Sequence, residues 1–135
     1  MAGFSLRIMT PTRVAFDGVA KSVSFMTTEG EACVLNGHED YVAPLAVGAV
    51  RIETENGEKK LGCSSYGFIN VLSSNVSIFL ITFEFVEEID VARATEGIEK
   101  TSAIIAAGAT DDEVMDAKAR QERCKMRLKV AKLSS

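Results

Sequence analysis

Four residues near the start of the predicted helical part of the chain share one helix face. Asp90, Arg93, Ala94 and Gly97 follow one another at offsets of three, four and seven positions from Asp90. A carboxylate and a guanidinium at this spacing can bind a polar ligand or each other, and the small side chains of Ala94 and Gly97 leave room for a flat group against the backbone. Taken alone, the pattern favours an ordinary salt-bridged helix pair, with a ligand site as the alternative.

Basic residues form two rows on the last predicted helix. At about 100° per residue, one face carries Lys118, Lys125, Lys129 and Lys132, and the opposite face carries Arg120, Arg123 and Arg127. A lysine row is typical of a solvated face. Arg123 and Arg127, one turn apart, have the donor geometry that binds a carboxylate or phosphate through two hydrogen bonds.

Charge is distributed unevenly along the 135 residues. From Lys118 to the end there are seven basic residues and one acidic residue, a net charge of +6, whereas the preceding part carries −10. This polarity predicts a basic tail that docks on an acidic surface, either its own or that of another protein. We do not expect nucleic acid as a partner, because no aromatic residue alternates with the basic ones to stack on bases.

No pattern of catalytic residues is visible in the sequence. The single histidine, His38, lies in a polar glycine-containing turn, where it is either a solvated residue or a contact for another subunit. The acids Glu87, Glu88 and Asp90 fit a charged hinge better than an acid–base pair. Because the sequence also lacks a nucleophile motif, a phosphate-binding loop and a metal-ligand cluster, we expect a protein that is not an enzyme.

Two kinds of element are predicted to position these residues. Up to about residue 87, apolar residues alternate with polar ones in short runs separated by turns, among them Asp17-Gly18 and the hairpin signal Asn56-Gly57. Eight to ten short strands without helical crossovers predict an antiparallel β-sandwich or a flattened barrel over residues 1–87. The fold class is therefore α+β, with helices confined to residues 88–135.

The helical part is predicted to be a two-helix hairpin. A first helix spans residues 89–107, and Gly108-Ala109-Thr110 ends it. Thr110 and Glu113 form a capping box that begins a second helix running toward Leu133. Because the connection is so short, the helices must be antiparallel.

Composition indicates where the protein resides. A hydrophobic content of 47% and a charged content of 25% are typical of a packed globular domain. There is neither an apolar run of about 20 residues, as a membrane span needs, nor a signal-peptide pattern. Cys33, Cys63 and Cys124 are widely spaced, which predicts reduced thiols rather than a metal site. We therefore expect a cytoplasmic protein.

Several short motifs recur along the chain in a specific order and spacing. They are Thr10-Pro11, Phe16-Asp17-Gly18, Glu29-Gly30-Glu31, Leu35-Asn36-Gly37-His38, Gly48, Val50-Arg51-Ile52, Gly67-Phe68 and Ile89-Asp90-Val91-Ala92-Arg93-Ala94. Together they resemble the epsilon subunit of bacterial F-type ATP synthases over nearly the whole chain. That family combines an N-terminal β-sandwich with a two-helix hairpin.

The resemblance implies a non-catalytic subunit of the rotary central stalk. It would couple the gamma subunit to the c ring during proton- or sodium-driven ATP synthesis. The loop with Glu29 and Glu31 would face the ring, and His38 would lie near the gamma contact. The protein would be peripheral, on the cytoplasmic face of the cell membrane, and attached to it only through the complex.

The resemblance also implies a regulatory role for the hairpin. An extended hairpin would reach the alpha/beta catalytic hexamer and inhibit ATP hydrolysis, whereas a folded hairpin would bind ATP in several family members. No cofactor is obligatory, and ATP would be a regulatory ligand of an I/L-D-x-x-R-A motif. The implied site comprises Glu84, Ile89, Asp90, Arg93, Ala94, Lys100, Arg123 and Arg127.

A second interpretation is an unrelated β-sandwich adapter whose hairpin binds a partner helix or a small ligand. A chain that is found alone favours the adapter. Co-purification with a gamma-like coiled coil favours the stalk subunit.

Overall fold

The structure is a computed structural model that describes residues 3–108 and 110–133. The chain divides into two compact units, one that ends at Phe85 and one that begins at Val86. The first consists of β-strands and the second contains two α-helices. The predicted α+β fold class, a sandwich followed by a helical hairpin, is confirmed.

The described residues form nine strands. They are β1 (Phe4–Met9), β2 (Val14–Thr27), β3 (Gly30–Leu35), β4 (Tyr41–Leu45), β5 (Gly48–Thr54), β6 (Lys59–Ser64), β7 (Gly67–Leu72), β8 (Asn75–Leu80) and β9 (Phe83–Phe85). Their order is β1-β8-β7-β4-β2-β5-β6-β9, with β3 paired to β2 and an additional pairing of β1 with β2. Every pairing is antiparallel except that of β1 with β8, which is parallel.

The core follows from the period-two alternation of the strands. Phe4, Leu6 and Ile8 point inward from β1, and the same alternation continues on the other strands. Burial of each large side chain contributes about 1.5–3 kcal/mol. The inward-facing set includes Val23, Phe25, Leu45, Val50, Ile52, Ile69, Val71, Val76, Ile78, Leu80 and Phe83. The sandwich thus has a continuous core of its own.

The predicted turn at Asp17-Gly18 is wrong, because β2 runs through both residues. Asp17 lies opposite Arg7 and Gly18 lies opposite Leu6, since β2 pairs along the whole of β1. Asp17 accepts a hydrogen bond from the Arg7 guanidinium at 3.5 Å. Pairing between strands outweighs the local turn signal of an Asp-Gly pair.

The predicted hairpin at Asn56-Gly57 connects β5 and β6. Gly57 has φ +85°, a conformation that glycine adopts without strain, and its N–H donates to the Thr54 carbonyl at 2.9 Å. The turn therefore fixes the register in which Ile52 lies opposite Lys60.

The second unit begins with a 3-10 turn, Val86–Glu88, followed by α1 (Val91–Ala106) and α2 (Asp111–Leu133). Gly108, at φ +71°, follows α1. Thr110 caps α2 as predicted, because its Oγ1 accepts from the Glu113 N–H at 3.3 Å. Ala109, which was predicted to be part of the break, lies outside the described residues.

The sequence contains no apolar run long enough for a membrane span, and the structure allows the same question to be asked of its helices. Within the described ranges, neither helix is long and apolar enough to cross a membrane.

Candidate functional site

Asp90 is the N-cap of α1. Its backbone is extended, and its Oδ1 accepts a hydrogen bond from the Arg93 N–H at 3.0 Å. This bond satisfies one of the amide groups that the first helical turn leaves without a partner. α1 consequently begins at Val91, two residues later than predicted, and the Asp-x-x-Arg spacing has a structural purpose that does not require a ligand.

The salt-bridged alternative for Asp90 is not observed. Among the described residues, Asp90 makes no ion pair with either Arg93 or Arg127. The Arg93 side chain is exposed, and its guanidinium has no hydrogen bond or ion pair within the described ranges. The carboxylate thus holds the backbone of Arg93 while the charged end of that arginine stays available.

The two basic rows of α2 differ in burial. Lys118, Lys125, Lys129 and Lys132 are all exposed, as expected for a solvated face. Arg123 and Arg127 are half-buried, and Val130, which follows Arg127 by three residues, is completely buried. The guanidinium of Arg123 has no hydrogen bond or ion pair in the part of the chain that the structure describes. A half-buried cation without a partner is the strongest anion-binding feature of the hairpin.

Lys100 is engaged on the outer side of α1. Its ammonium group lies 2.8 Å from the carboxylate of Glu96, one turn earlier. The Lys100 hydrogen bond and its charge hold the pKa of Glu96 below the ordinary value of 4.5. Glu96 is not among the predicted site residues, although an acid four positions before a lysine is a readable signal on a helix.

The flat surface predicted at Ala94 and Gly97 is not open. Ala94 is buried, and a Cβ added to Gly97 would lie 2.7 Å from the Sγ atom of Cys124 on α2. Gly97 of α1 faces Cys124 of α2, whereas Ser102, later in α1, accepts a hydrogen bond from Gln121, earlier in α2. The two helices therefore run antiparallel. This face of α1 is used for helix packing, which corrects the expectation of a space for a flat group.

The two remaining predicted ATP-site residues lie at either side of the junction. Glu84 is half-buried on β9, opposite Cys63 of β6. Ile89 is half-buried, and its N–H donates to the carbonyl of Val86 at 3.2 Å, which closes the 3-10 turn. Glu84 belongs to the sandwich unit and Ile89 to the helical unit.

The predicted contact residues of the sandwich are in exposed positions. Glu29 and Glu31 flank Gly30 at the β2–β3 turn, and neither carboxylate has an ion pair among the described residues. His38 is exposed but ordered by its neighbours. Its Nδ1 lies 2.8 Å from the Glu39 carbonyl, and its ring contacts the edge of Tyr41 at 5.7 Å between centroids.

An apolar surface on the outside of the sandwich was missed by the sequence reasoning. Phe68 of β7 lies opposite Pro44 of β4 and Phe79 of β8, and the rings of Phe68 and Phe79 stack at 4.8 Å. Val42 is 70% exposed and Leu72 55% exposed on the same outward face. We call these five residues the Phe68 patch. The sequence does contain a signal for this patch. In β4, β7 and β8 the outward-facing positions carry apolar residues as well as the inward-facing ones.

Nothing in the described ranges brings three or more potential metal ligands together. None of the three cysteines forms a disulfide in the part of the chain that the structure describes. The features that remain are the charged loops, the Phe68 patch and the cationic hairpin.

The two units define a sandwich-and-hairpin protein, in which the β-sandwich, nine-stranded over the described residues, precedes a pair of antiparallel helices. Residues 3–86 match the family described as ATP synthase, Delta/Epsilon chain, beta-sandwich domain. The chain therefore belongs to the ATP synthase delta/epsilon chain family, as the sequence predicted. Members of this family are non-catalytic subunits of the central stalk, in agreement with the prediction that the chain is not an enzyme.

Similarity to known relatives extends beyond the sandwich. The chain is 36% identical over 104 residues to the ATP synthase epsilon chain of Alkaliphilus oremlandii, covering 77% of each protein. It is 34% identical to that of Shouchella clausii over 132 residues, covering 98% of this chain and 97% of the relative. A chain of the Euglena gracilis mitochondrial ATP synthase superposes with a TM-score of 0.82 and 26% identity, covering 97% of this chain and 82% of that one.

Proposed function

We propose that this protein is the epsilon subunit of an F-type ATP synthase, in which it couples the gamma subunit to the c ring. The observation that carries the proposal is that similarity spans both units, since the alignment with the Shouchella clausii epsilon chain covers 98% of the chain. The Euglena gracilis structure that contains the similar fold is an assembly of OSCP, F1 and c-ring. The subunit would be peripheral, attached at the cytoplasmic face of the membrane through the complex.

The Phe68 patch supports docking of the sandwich on gamma. Exposed apolar side chains that adjoin one another across three strands are uncommon on a protein that functions alone, and such surfaces are typical of subunit contacts. Phe68 has the size and rigidity of an interface anchor because its ring is already ordered by stacking on Phe79. His38 lies just before β4, the strand that carries Val42 and Pro44 of the patch.

The charged β2–β3 turn supports a contact with the c ring. The carboxylates of Glu29 and Glu31 are exposed, and no ion pair among the described residues neutralises them. The turn itself is well defined, because Thr27 Oγ1 donates to the Gly30 carbonyl at 2.7 Å and accepts from the Glu29 N–H at 3.1 Å. Charged groups on an ordered loop favour specific docking to basic groups of a partner.

The basic second helix supports regulation of ATP hydrolysis. The segment from Lys118 onward carries +6, and its lysine row is exposed. In an extended hairpin these charges would pair with acidic residues of the catalytic hexamer and obstruct rotation in the hydrolysis direction.

The arginines support ATP as a ligand of the folded hairpin. Cations held near one another repel, so a bound anion stabilises the conformation that gathers them. Because Gly97 lies against Cys124 in antiparallel helices, Arg93 is at about the level of Arg127 along the hairpin. ATP would therefore hold the hairpin folded when it is abundant, and its loss would free the helices to inhibit.

The experiment is co-expression of the tagged chain with the gamma and c subunits of its source organism. A stable complex with gamma, which recruits the c ring, is expected of the stalk subunit. Recovery of the chain alone, folded and monodisperse, would contradict the proposal and favour the adapter interpretation.

A further inference from the structure

The seam between α1 and α2 contains a polar residue and a glycine at its centre. Along α2 the residues Val114, Ala117, Gln121, Cys124 and Leu128 recur at spacings of three and four, which is the heptad pattern of packed helices. Gln121 is the polar member of this stripe. In packed helices a single polar seam residue commonly specifies one register at a cost in stability.

The Gln121 amide group joins the two helices. Its Nε2 donates to the hydroxyl of Ser102 at 2.6 Å and to the carbonyl of Ile98 at 3.3 Å. Thr101 lies between Ile98 and Ser102 in the sequence, and its side chain is buried. Its hydroxyl donates to the Gly97 carbonyl at 2.8 Å. Slippage of one helix by a turn would remove both partners of Gln121 and leave a half-buried amide without hydrogen bonds.

Gly97 of α1 lies directly against Cys124 of α2. A Cβ at this position would lie 2.7 Å from Cys124 Sγ and 3.9 Å from Cys124 Cβ. Glycine is a poor helix former, so its presence in the interior of α1 requires a packing reason. The absence of a side chain makes room for the sulfur of Cys124.

We infer that Gln121 and the Gly97–Cys124 contact together fix the register of the hairpin and form the latch at which its helices separate. The latch residues carry little apolar side chain to bury, because they are a glycine, a cysteine and a glutamine. The Gln121 amide can also exchange its protein partners for water. Opening at this point therefore costs less than opening an all-leucine seam. The regulatory consequence of the latch rests on the proposed function, whereas the register does not.

The register can be tested with a disulfide, because the geometry at Gly97 suits one. The 3.9 Å separation lies within the usual Cβ–Cβ range of about 3.5–4.5 Å. The full chain is made with Cys33→Ser and Gly97→Cys and oxidised by copper phenanthroline, with dioxygen taking the two electrons. We expect a disulfide to Cys124, seen as a mass loss of two hydrogens and a gel shift reversed by dithiothreitol.

The matched control is Ala103→Cys in the same background, since Ala103 is exposed on the same helix and Cys63 is buried in the sandwich. We expect no intramolecular disulfide from it. Equal yields of disulfide from Gly97→Cys and Ala103→Cys, or none from Gly97→Cys in a chain of unchanged helix content, would overturn the assigned contact.

The role of Gln121 is tested by moving the thiol one turn in either direction. With Gln121 present, Ala94→Cys and Thr101→Cys should not crosslink to Cys124. With Gln121→Leu added, helix content should persist while crosslinks appear at positions 94 and 101 as well as 97. Crosslinking that stays confined to position 97 in the Gln121→Leu background would show that Gln121 does not fix the register.

The latch function is tested in the assembled enzyme. Oxidised Gly97→Cys holds the helices together, so ATP hydrolysis should be uninhibited until dithiothreitol restores the inhibition. Where the disulfide forms but hydrolysis is the same before and after reduction, the inhibitory function fails and the register assignment stands. Where no disulfide forms, the latch itself fails, so the two failures are distinguishable.

Discussion

Lys100 Nζ and Glu96 Oε1 lie 2.8 Å apart on the outer side of α1, so a predicted ATP-site residue is held by a neighbouring acid. The pair is exposed, and its strength depends on the ionisation of Glu96. Since Lys100 lowers the pKa of Glu96 below 4.5, Glu96 is charged at neutral pH, and the pair is lost as the pH falls through that lowered pKa.

The first prediction concerns release of Lys100. Glu96→Gln removes the competing carboxylate, and if Lys100 contributes to ATP binding the affinity should rise roughly two- to fivefold at pH 7, as expected for an exposed charge pair. Isothermal titration of the full chain at two salt concentrations measures this, and the gain should shrink at high salt. Glu99→Gln is the matched control on the same helix. Equal affinities of Glu96→Gln and the parent chain would remove Lys100 from the site.

The second prediction distinguishes a phosphate-binding arginine from surface charge. Arg123 is half-buried and lacks a partner among the described residues, whereas Arg120 is exposed one turn before it. Arg123→Ala should weaken ATP binding by about tenfold or more, since a charged hydrogen bond contributes about 1.5–3 kcal/mol. Arg120→Ala removes the same charge and should change the affinity little. Similar losses in both variants would indicate only a diffuse attraction of the basic helix for polyanions.

The third prediction concerns the Phe68 patch. Phe68→Ser should leave the sandwich folded, because the side chain is on the outer face, but should weaken binding to gamma by about thirtyfold if Phe68 is an interface anchor. Binding of gamma by the purified chain is measured by surface plasmon resonance. Val19→Ser, at an exposed position of β2, is the control and should bind normally. Normal binding of Phe68→Ser would show that gamma docks elsewhere.

The fourth prediction concerns the contact loops. Glu31→Lys reverses an exposed charge without a partner ion among the described residues, and should weaken association with the c ring while the thermal unfolding midpoint stays the same. His38→Trp replaces a ring held by Glu39 and Tyr41 and should weaken association with gamma. Unimpaired assembly of the double variant would mean that both residues are merely solvated.

The fifth prediction concerns removal of the hairpin. A chain that ends after Glu88 should fold, because the sandwich core is supplied by side chains from Phe4 to Phe83. Circular dichroism should show a cooperative β-sheet transition. In the assembled enzyme the truncation should raise ATP hydrolysis without impairing assembly. An unfolded truncated chain would contradict the first expectation, and unchanged hydrolysis would contradict the second.

The parts of the fold that could be predicted depend on local rules. Residues 56 and 57 form a hairpin because glycine accepts a positive φ, and Thr110 starts a helix because its hydroxyl caps the amide of Glu113. Asp17-Gly18 carries an equally local turn signal, yet Arg7 and Leu6 pair with these residues from another strand. Pairing with another strand has no signature in the residues that adjoin the Asp-Gly pair.

The site was predictable as a set of residues but not as a set of contacts. The spacing that placed Ala94 and Gly97 on one face is correct, but that face is occupied by Cys124. Asp90 was readable as an N-cap, because an aspartate immediately before a helical run is a common capping residue. Two further residues were also recognisable in the sequence. Glu96 lies four positions before Lys100, and Gln121 belongs to the three- and four-residue repeat of α2. The partners of a side chain, however, depend on which helix faces which.

The parallel pairing of β1 with β8 has a consequence for folding during synthesis. Leu6 lies beside Val76, and the strands between them must be made before this pair can form. The closure of the sandwich is therefore a contact between distant parts of the chain, which slows folding relative to local pairing. While the ribosome extends the polypeptide, β1 can pair with β2 early, but its other edge stays open to foreign strands until β8 emerges. Nascent chains should thus depend most on chaperones in that interval, and release from them should coincide with the emergence of β8 from the ribosomal tunnel.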